Sequence, residues 1–390
     1  MAKKATKGAA TEVAPILDFA EILIDDINKK FKGNVPVASY LHDPDAATHV
    51  KYWISTGSDI LDLAISNRPN GGVPAGKIIE IYGDSGTSKS ALAATILANT
   101  QKMGGLAVLI DTESAATEQF FEALGIDSTR LLYIQLETIE DVYSTVELII
   151  EKARLQAKDR PVTIVIDSLM GATTKMELES TYDRQGYATG KALINSQAMR
   201  KITNLIAKES IILIGINQIR ANMNAGFGGD QDTTSGGFAW AFHSTVRIRL
   251  KNMGQIKAKN DQGVEAIMGR KVRAQIKKNR IGPPLRQSDY DIWFNSGIDN
   301  YGSWLYYLQD NKILEKDGHS VVYTYINSDT GEEIKVKFKP SEFGKILNAN
   351  PEVRQVIYED ICNSFIMNYK VPNQEIDFDS VFVDDTVITE

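Results

Sequence analysis

Between residues 77 and 218, short apolar runs alternate with longer amphipathic stretches. The runs are rich in Val, Ile and Leu without period-two alternation, which predicts strands buried on both faces. They are KIIEIYG, AVLIDTE, LLYIQ, TIVIDS and IILIGINQ. The stretches between them show helical spacing: SALAATILANTQKMG, TEQFFEALGI, VYSTVELIIEKARLQ and INSQAMRKITNLIAKES. This alternation predicts an α/β fold with a mostly parallel central sheet and crossover helices.

The regions on either side of this core have different patterns. Residues 1–14 are typical of a disordered basic tail, and apolar positions from Ile16 to Phe31 recur at helical spacing. The apolar stripe of this N-terminal helix segment must be buried, and packing on its own chain is the plain interpretation. VRIRLK and VRAQIKK predict further strands. Residues 299–370, with the hairpin-like YTYINSDTGEEIKVKF, predict a small C-terminal α/β domain.

Composition narrows the class of protein. The 390 residues are 43% hydrophobic and 24% charged, as in soluble globular proteins, and leave room for two or three domains. We expect a cytoplasmic protein with no membrane contact, because no apolar run approaches the roughly 18–20 residues that span a bilayer and the N-terminus lacks a signal-peptide pattern. Cys362 is the single cysteine, which excludes an internal disulfide and a cysteine zinc site.

The charge distribution is more informative than the net charge of -7. Residues 247–286 are strongly basic, whereas residues 371–390 carry six carboxylates and no basic residue. An acidic segment of this kind can mask a basic working surface. We therefore expect an acidic disordered tail, which either solubilises the protein or competes within the chain for a basic surface.

A phosphate-binding loop is predicted where KIIEIYG leads into GDSGTSKS and then into a helix. Backbone N–H groups of such a loop hold the phosphates of ATP. Lys89 is expected to reach the β- and γ-phosphates, and Ser90 to ligate Mg²⁺. Ser88 stands where such loops usually have glycine. The residues of the predicted loop are Gly83, Asp84, Ser85, Gly86, Thr87, Ser88, Lys89 and Ser90.

Two carboxylates follow neighbouring predicted strands. Asp167 ends TIVID and is expected to hold Mg²⁺ through water, although a plain strand terminus would give the same pattern. Glu113 lies just beyond Asp111 at the end of another strand, where reacting groups gather in open α/β sheets. It either activates the water that attacks the γ-phosphate or is a solvated loop carboxylate.

From Trp53 onward, the chain resembles the RecA family. Matches keep the family order over roughly residues 15–370: WISTGSDILDLAI, GGVPAGKIIEIYG, GDSGTSKS, LIDTESA, IVIDS, SQAMRK, INQIR, TTSGG, KKNRIGPP and GIDNYG. SQAMRK and INQIR are more specific than a phosphate loop, and they separate RecA from helicases and transport ATPases that share its core. The loop without a glycine before its lysine is similar to that of some phage-encoded relatives.

The resemblance implies an ATP-dependent DNA recombinase with a RecA-like P-loop ATPase core. Such a protein is a DNA-dependent ATPase that forms a helical filament of its own copies on single-stranded DNA. It pairs this DNA with a homologous duplex and exchanges strands in recombination and repair of DNA damage. The implied location is the cytoplasm, at the nucleoid, or the host cytoplasm if the protein is phage-encoded.

The resemblance also implies a division of the chain. Residues 1–52 would form an N-terminal tail and oligomerisation helix, and residues 53–298 the ATPase and DNA-binding core. Residues 299–370 would form the C-terminal domain, followed by the acidic tail at 371–390.

Roles follow at the positions that match the family. Glu113 resembles the catalytic glutamate, and Gln218 resembles the γ-phosphate sensor that couples ATP to the DNA-binding loop after it. Lys278 and Arg280 match residues that act on ATP bound by the neighbouring subunit, with Arg280 replacing the usual lysine. Phe120 matches an aromatic that stacks on adenine, although core packing is the alternative.

Two segments, 178–191 and 219–235, are interpreted as flexible loops, and the resemblance makes them the DNA-binding loops. Basic residues, backbone N–H groups and an apolar wedge suit single strands, so binding should be largely independent of base sequence. For Phe227, a surface loop without DNA contact is the alternative. The expected DNA contacts are Arg200, Arg220, Phe227, Gly228, Gly236 and Gly237.

Two other functions share part of the pattern. A ring helicase uses the same core but gives no reason for SQAMRK or for the glycine-rich loop after INQIR. An ATP-gated protein that coats DNA without hydrolysis is supported only by Ser88. An ATPase assay with and without single-stranded DNA distinguishes the second function from a recombinase.

Overall fold

The computed structural model describes residues 14–31, 36–41, 43, 49–156, 159–179, 187–221, 232–234, 236–259, 263–327 and 330–369. The predicted basic tail, the acidic tail at 371–390, Phe227 and Gly228 lie outside these residues. The first helix, α1, spans Ala14–Lys30, as the helical spacing predicts. Within the described part of the chain, no helix is both long and apolar enough to cross a membrane.

The elements that follow keep the predicted alternation of strands and helices. Those of the first half are β1 (Trp53–Ile54), α2 (Asp59–Ser66), β2 (Val73–Pro74), β3 (Ile78–Gly83), α3 (Lys89–Lys102), β4 (Leu106–Asp111), α4 (Glu118–Ala123), β5 (Leu131–Gln135), α5 (Ile139–Gln156) and β6 (Val162–Asp167). Those of the centre are α6 (Lys175–Leu178), α7 (Tyr187–Lys208), β7 (Ile212–Ala221), β8 (Asp232–Thr234) and α8 (Ala239–His243).

The last part of the described chain mixes antiparallel strands and short helices. Its elements are β9 (Val246–Lys259), β10 (Glu265–Asn279), β11 (Gln287–Trp293), β12 (Gly297–Asp299), α9 (Asn300–Asp310), β13 (Glu315–Asp317), β14 (Ser320–Ile326), β15 (Glu333–Phe338), α10 (Phe343–Ala349) and α11 (Pro351–Phe365). Strands β14 and β15 pair as the predicted hairpin.

One large sheet organises the described chain, with the strand order β12-β11-β10-β9-β3-β7-β6-β4-β5 and β8 paired to β7. The six strands from β9 to β5 in this order run parallel, whereas β10, β11 and β12 are antiparallel additions. Helix α3 packs on one face, while α5 and α7 pack on the other. Burial on both faces explains the uninterrupted apolar runs, and the predicted mostly parallel sheet is confirmed.

The sheet register brings the predicted site residues to one edge. Gly83 at the end of β3 lies opposite Gln218 in β7, and Asp111 at the end of β4 lies opposite Asp167 in β6. These strands are parallel, so their carboxyl ends share one edge of the sheet, the usual position of ligands in open α/β folds.

Three boundaries differ from the sequence-based expectations. Helix α7 begins at Tyr187, so the predicted loop 178–191 is shorter, because YATGKAL continues the helix. Strand β7 runs to Ala221 and pairs with β8, so both ends of the predicted loop 219–235 are strand. Strands β9 and β10 form a much longer hairpin than VRIRLK and VRAQIKK predict, with bulges that accommodate its length.

A third hydrophobic cluster holds the last part of the described chain together. It includes Trp304, Tyr323 and Phe343 and takes in Ile60 and Leu63 from α2. The predicted domain at 299–370 therefore has its own core, and that core is continuous with α2. The division of the chain into domains remains a prediction.

Candidate nucleotide and DNA-binding site

The predicted phosphate loop lies between β3 and α3. Thr87 is buried and its hydroxyl donates to the Asp84 carbonyl at 2.9 Å, which closes the loop on itself. Gly86 has φ +71° and Ser88 has φ +64°, both in the left-handed region. Ser88 occupies a conformation that costs a non-glycine residue about 1–2 kcal/mol, and its side chain makes no capping hydrogen bond to α3.

Lys89 begins α3 and points back into the loop. Its Nζ donates to the carbonyls of Gly83 at 3.1 Å and Asp84 at 2.7 Å, and the residue is 8% exposed. Burial lowers the pKa of Lys89, while the charges of Asp167, Asp84 and Glu113 oppose that shift. The ammonium is therefore held at the loop, within reach of the carboxylates on the neighbouring strands.

Ser90 and Asp167 line the same small cavity at the sheet edge, as the predicted magnesium site requires. Burial raises the pKa of Asp167 to about 6, with the hydrogen bond from Ser90 opposing the rise and the charges of Glu113 and Asp111 adding to it. A carboxylate and a hydroxyl are the hard oxygen donors that Mg²⁺ prefers, with phosphate and water completing its coordination.

Asp111 shapes the turn that carries Glu113. One of its carboxylate oxygens accepts from the backbone N–H groups of Glu113 at 2.9 Å and Ser114 at 2.8 Å. The other accepts from the Ala116 N–H and the Tyr133 hydroxyl. These bonds end β4 at Asp111, the strand end that the sequence predicts, with Glu113 just beyond it.

Glu113 lies at the cavity edge beside β6. The Ser168 hydroxyl donates to its carboxylate, and Glu113, Asp167 and Ser90 line the same cavity. The structure thus brings together the two carboxylates and the loop hydroxyl that the sequence predicts. Sequence analysis did not identify Ser168 as a partner of Glu113, although it directly follows Asp167.

Phe120 stands at the opening of the site. It is 36% exposed and meets Phe121 edge to face, with ring centroids 5.6 Å apart, while Phe121 is buried in the core. A cavity of about 190 Å³ lies between the phosphate loop and Phe120, with Trp293 and Phe294 on its other wall. Phe120 therefore lines this cavity with part of its ring exposed, whereas Phe121 packs in the core, and stacking of Phe120 on adenine remains a prediction.

The antiparallel side of the sheet supplies residues that sequence analysis missed. Arg270, in β10, donates a hydrogen bond from its guanidinium to the Gly86 carbonyl. Trp293 ends β11, the strand paired with β10. The local sequence carries no signal for either residue, because their place beside the phosphate loop follows from the pairing of strands far apart in the chain.

Gln218 lies beside the phosphate loop and at the end of a buried polar chain. The adjacent Asn217 donates to Glu80 at 2.9 Å, and Glu80 is fully buried. Arg247 forms an ion pair with Glu80 and also donates to the Thr234 hydroxyl at 3.4 Å. This series of polar contacts connects β7, the strand that carries the predicted sensor Gln218, with β8, which lies within the predicted DNA loop 219–235.

Lys278 and Arg280 meet at the end of α8. The Lys278 ammonium donates to the carbonyls of Ala241 and Phe242, and Arg280 also donates to the Phe242 carbonyl. Burial, and then the charges of Arg280 and Arg247, lower the pKa of Lys278 to about 8.

The position of this pair in the sheet separates it from the phosphate loop of the same chain. Lys278 pairs with Arg247 in β9, which lies opposite Glu80, three residues before Gly83 in β3. Three strand residues span about 10 Å, and two strand spacings add about 10 Å across the sheet. The cations therefore lie away from the phosphate loop that they are predicted to complement.

The described DNA candidates lie around α7. Arg200 is exposed. Burial lowers the pKa of His243 in α8, and the positive charges of Lys278, Arg200 and Arg280 lower it further, so these three cations lie around His243. Gly236 and Gly237 both have φ +85° and pack against α7. Arg220 lies in β7 opposite Thr233. The structure thus gathers Arg200 and the two glycines about one helix.

Comparison with known proteins agrees with this arrangement. The family model of the RecA N-terminal domain matches residues 19–299. Protein RecA of a Nitratiruptor species is 37% identical over 318 residues, covering 82% of this chain and 86% of that protein. Protein RecA of Chlamydia felis is 38% identical over 275 residues, covering 70% and 74%. Protein RecA of Chlamydia pneumoniae is 34% identical over 318 residues, covering 81% and 84%.

The family match extends across the phosphate loop, the strand-end carboxylates and the α7–α8 region. Identities of this size over most of both chains show common ancestry as well as a common core. The chain therefore belongs to the RecA family, the DNA-dependent ATPases that act as recombinases in homologous recombination and DNA repair.

Proposed function

We propose that this protein hydrolyses ATP at sites shared between neighbouring copies in a filament on single-stranded DNA. The observation that carries the proposal is the separation, within one sheet, of the phosphate loop from Lys278 and Arg280. Each copy presents two incomplete halves of a phosphate site. A head-to-tail contact brings the cations of one copy to the loop of the next, and repetition of that contact builds a helical filament.

The phosphate-loop half binds ATP and positions the attacking water. A phosphate oxygen is a charged acceptor, so it replaces the loop carbonyls as the partner of Lys89. Ser90 and Asp167 hold Mg²⁺, which supplies positive charge to the phosphate oxygens. Glu113 orients the water and accepts its proton. Gln218 senses the γ-phosphate from the neighbouring strand end.

The cation half stabilises the charge that develops on the transferred phosphoryl group. Lys278 and Arg280 act in trans from the neighbouring copy, and Arg280 offers a planar pair of donors in the manner of an arginine finger. Phe120 stacks on the adenine. Filament assembly therefore controls hydrolysis, because neither half provides all of the charges.

DNA binds to the surface around α7, through Arg200, Arg220 and the backbone of the glycine-rich segment. Contacts to phosphates carry no sequence information, so homology with the duplex is read by base pairing rather than by the protein. The polar chain from Gln218 to Thr234 connects the ATP state to this surface. The location that fits this chemistry is the cytoplasm of the cell or of a phage host, at the DNA.

Mixing two inactive variants tests the shared site. Lys89→Ala removes the phosphate-loop cation, and the double variant Lys278→Ala with Arg280→Ala removes the trans cations. Each variant alone should lose DNA-stimulated ATP hydrolysis. Their mixture should recover a fraction of wild-type activity, because some interfaces then combine one intact loop with one intact pair of cations.

Assembly is checked in parallel by electron microscopy of the mixture on single-stranded DNA with ATP. Recovered hydrolysis together with mixed filaments supports the shared site. Mixed filaments without any recovery contradict it. Wild-type protein that shows no DNA-stimulated hydrolysis, or that forms closed rings and unwinds duplexes, contradicts the proposed function as a whole.

A further inference from the structure

A buried hydrogen-bonded network lies behind the predicted DNA surface. The Trp240 indole N–H donates to the Tyr143 hydroxyl at 2.9 Å, and that hydroxyl donates to Asn195 Oδ1 at 2.6 Å. Asn195 Nδ2 donates in turn to the Gly236 carbonyl at 2.8 Å. Trp240 and Asn195 are 1% exposed and Tyr143 is 4% exposed. These bonds join α5, α7, α8 and the segment that precedes α8.

The chemistry of the donors gives the network one direction. An indole N–H can only donate, so the Tyr143 hydroxyl accepts there and its own hydrogen goes to Asn195 Oδ1. The Asn195 amide is thereby oriented with its NH₂ group toward Gly236. Removing Asn195 would leave the buried Tyr143 hydroxyl and the partly buried Gly236 carbonyl without this partner, which destabilises the fold around them.

The backbone held by this amide is shaped for a close approach. A Cβ at Gly236 would lie 2.8 Å from Asn195 Nδ2, and a Cβ at Gly237 would lie 2.9 Å from the Ala192 Cβ. Both glycines have φ +85°, which side chains disfavour. The Gly236–Gly237 backbone therefore rests directly on α7 and is fixed by one side-chain hydrogen bond.

We propose that Asn195 is a positioning residue for DNA binding, whose amide fixes the backbone of Gly236, directly after the predicted loop 219–235, to α7. Helix α7 also begins within the predicted loop 178–191, at Tyr187, and carries Arg200, so one side chain ties the two glycines to the helix that carries a predicted phosphate contact. The proposal rests on the proposed function, since it assigns the ordering of that DNA surface to a buried residue that is outside the DNA contacts themselves.

Two variants separate the anchor from the rest of the network. Asn195→Leu keeps the volume and removes the bond to Gly236. Tyr143→Phe is the matched control, because it removes two buried hydrogen bonds and leaves the amide beside Gly236. Both should lower thermal stability, whereas affinity for single-stranded DNA with ATP and Mg²⁺ should fall about tenfold for Asn195→Leu and less than threefold for Tyr143→Phe.

Hydrogen exchange distinguishes the loss of this hydrogen bond from a general loss of stability. Peptides covering 232–237 should exchange faster in Asn195→Leu than in Tyr143→Phe at equal overall stability, and ATP binding without DNA should match the wild type in both. If Asn195→Leu does not fold, Asn195→Ala takes its place. Equal loss of DNA affinity in both variants, or wild-type affinity in the asparagine variant, overturns the proposal while leaving the wild-type ATPase intact.

Discussion

The phosphate loop and the predicted DNA surface are built from different kinds of contact. The loop joins β3 to α3, and its partners lie at the same edge of the sheet, Asp167 at the end of β6 and Gln218 in β7 opposite Gly83. The DNA surface depends on α7 and on the two ends of 219–235, which β7, β8 and Asn195 hold in place. The phosphate loop itself is made by neighbouring residues in the chain, whereas the DNA surface is made by residues far apart in it.

This difference has a functional consequence. A site made by consecutive residues is complete as soon as the strand, loop and helix form, so its geometry changes little with its surroundings. The geometry of a site made by residues far apart in the chain depends on the position of every helix and strand that contributes to it. The Glu80–Arg247 ion pair and the hydrogen bond from Arg247 to Thr234 join the two regions, and they are the proposed route by which ATP at the first site alters the second.

The largest effect is expected when the phosphate loop loses its cation. Lys89→Ala removes the ammonium that bonds Gly83 and Asp84, so ATP hydrolysis should fall below detection and DNA binding should no longer respond to ATP. The measurements are steady-state ATPase activity and affinity for single-stranded DNA with and without ATP. If the two sites were independent, ATP would leave the DNA affinity of the wild type unchanged as well.

Lys102→Ala is the matched control, because Lys102 is an exposed lysine at the other end of the same helix. It should leave both activities at wild-type levels. Strand exchange by Lys89→Ala at the wild-type rate would contradict the assignment of the phosphate loop.

The same difference decides what the sequence could predict. The loop, Glu113 and Asp167 were predictable because the motif, the strand ends and their order along the chain are local signals, and the family resemblance supplied their roles. Arg270 and Trp293 were not predictable, since the pairing of β9 with β3, of β10 with β9 and of β11 with β10 brings them to the loop. Local sequence gives no register for strands that meet across the sheet.

The predicted DNA surface also includes contacts that could not be predicted from the sequence. The motifs SQAMRK and TTSGG were visible, but the contact between Asn195 and Gly236 was not, because it joins residues 41 positions apart. The predicted loops were too long for a similar reason. Helix α7 extends back to Tyr187, and β7 continues to Ala221 because β8 provides a pairing partner that propensity alone does not reveal.

An effect of intermediate size is expected at Glu113, where a substitution should slow ATP hydrolysis and leave DNA binding intact. Glu113→Gln keeps the side-chain shape, and its amide oxygen can still accept from Ser168, but an amide cannot accept the proton of the attacking water. Hydrolysis should fall by about 10²–10⁴-fold, as is typical when a general base is lost. ATP affinity should stay within about threefold of the wild type, so the protein should remain bound to single-stranded DNA longer after ATP is added.

The control for charge alone is Glu118→Gln, which neutralises an exposed carboxylate in the first turn of α4. It should hydrolyse ATP at the wild-type rate. Hydrolysis by Glu113→Gln at the same rate as this control would remove Glu113 from catalysis and return it to the role of a loop carboxylate.

The smallest effect is expected at Ser88, where the loop departs from the usual glycine. Its φ of +64° strains a serine, and no capping bond is lost on substitution, so Ser88→Gly should relieve about 1 kcal/mol in the folded state. Greater freedom of glycine in the unfolded chain offsets roughly 0.5–1 kcal/mol of this gain. Net stability should change by less than about 1 kcal/mol, and nucleotide should bind no more than about threefold tighter.

Ser210→Gly is the matched control, because Ser210 has φ +51° outside the site and should show the stability change without any effect on nucleotide affinity. Calorimetric titration with an ATP analogue and thermal unfolding measure both quantities. A gain of tenfold or more in affinity for Ser88→Gly alone would show that the serine holds the loop in a weakly binding shape, and the phosphate loop would then be adjustable rather than fixed by its neighbours.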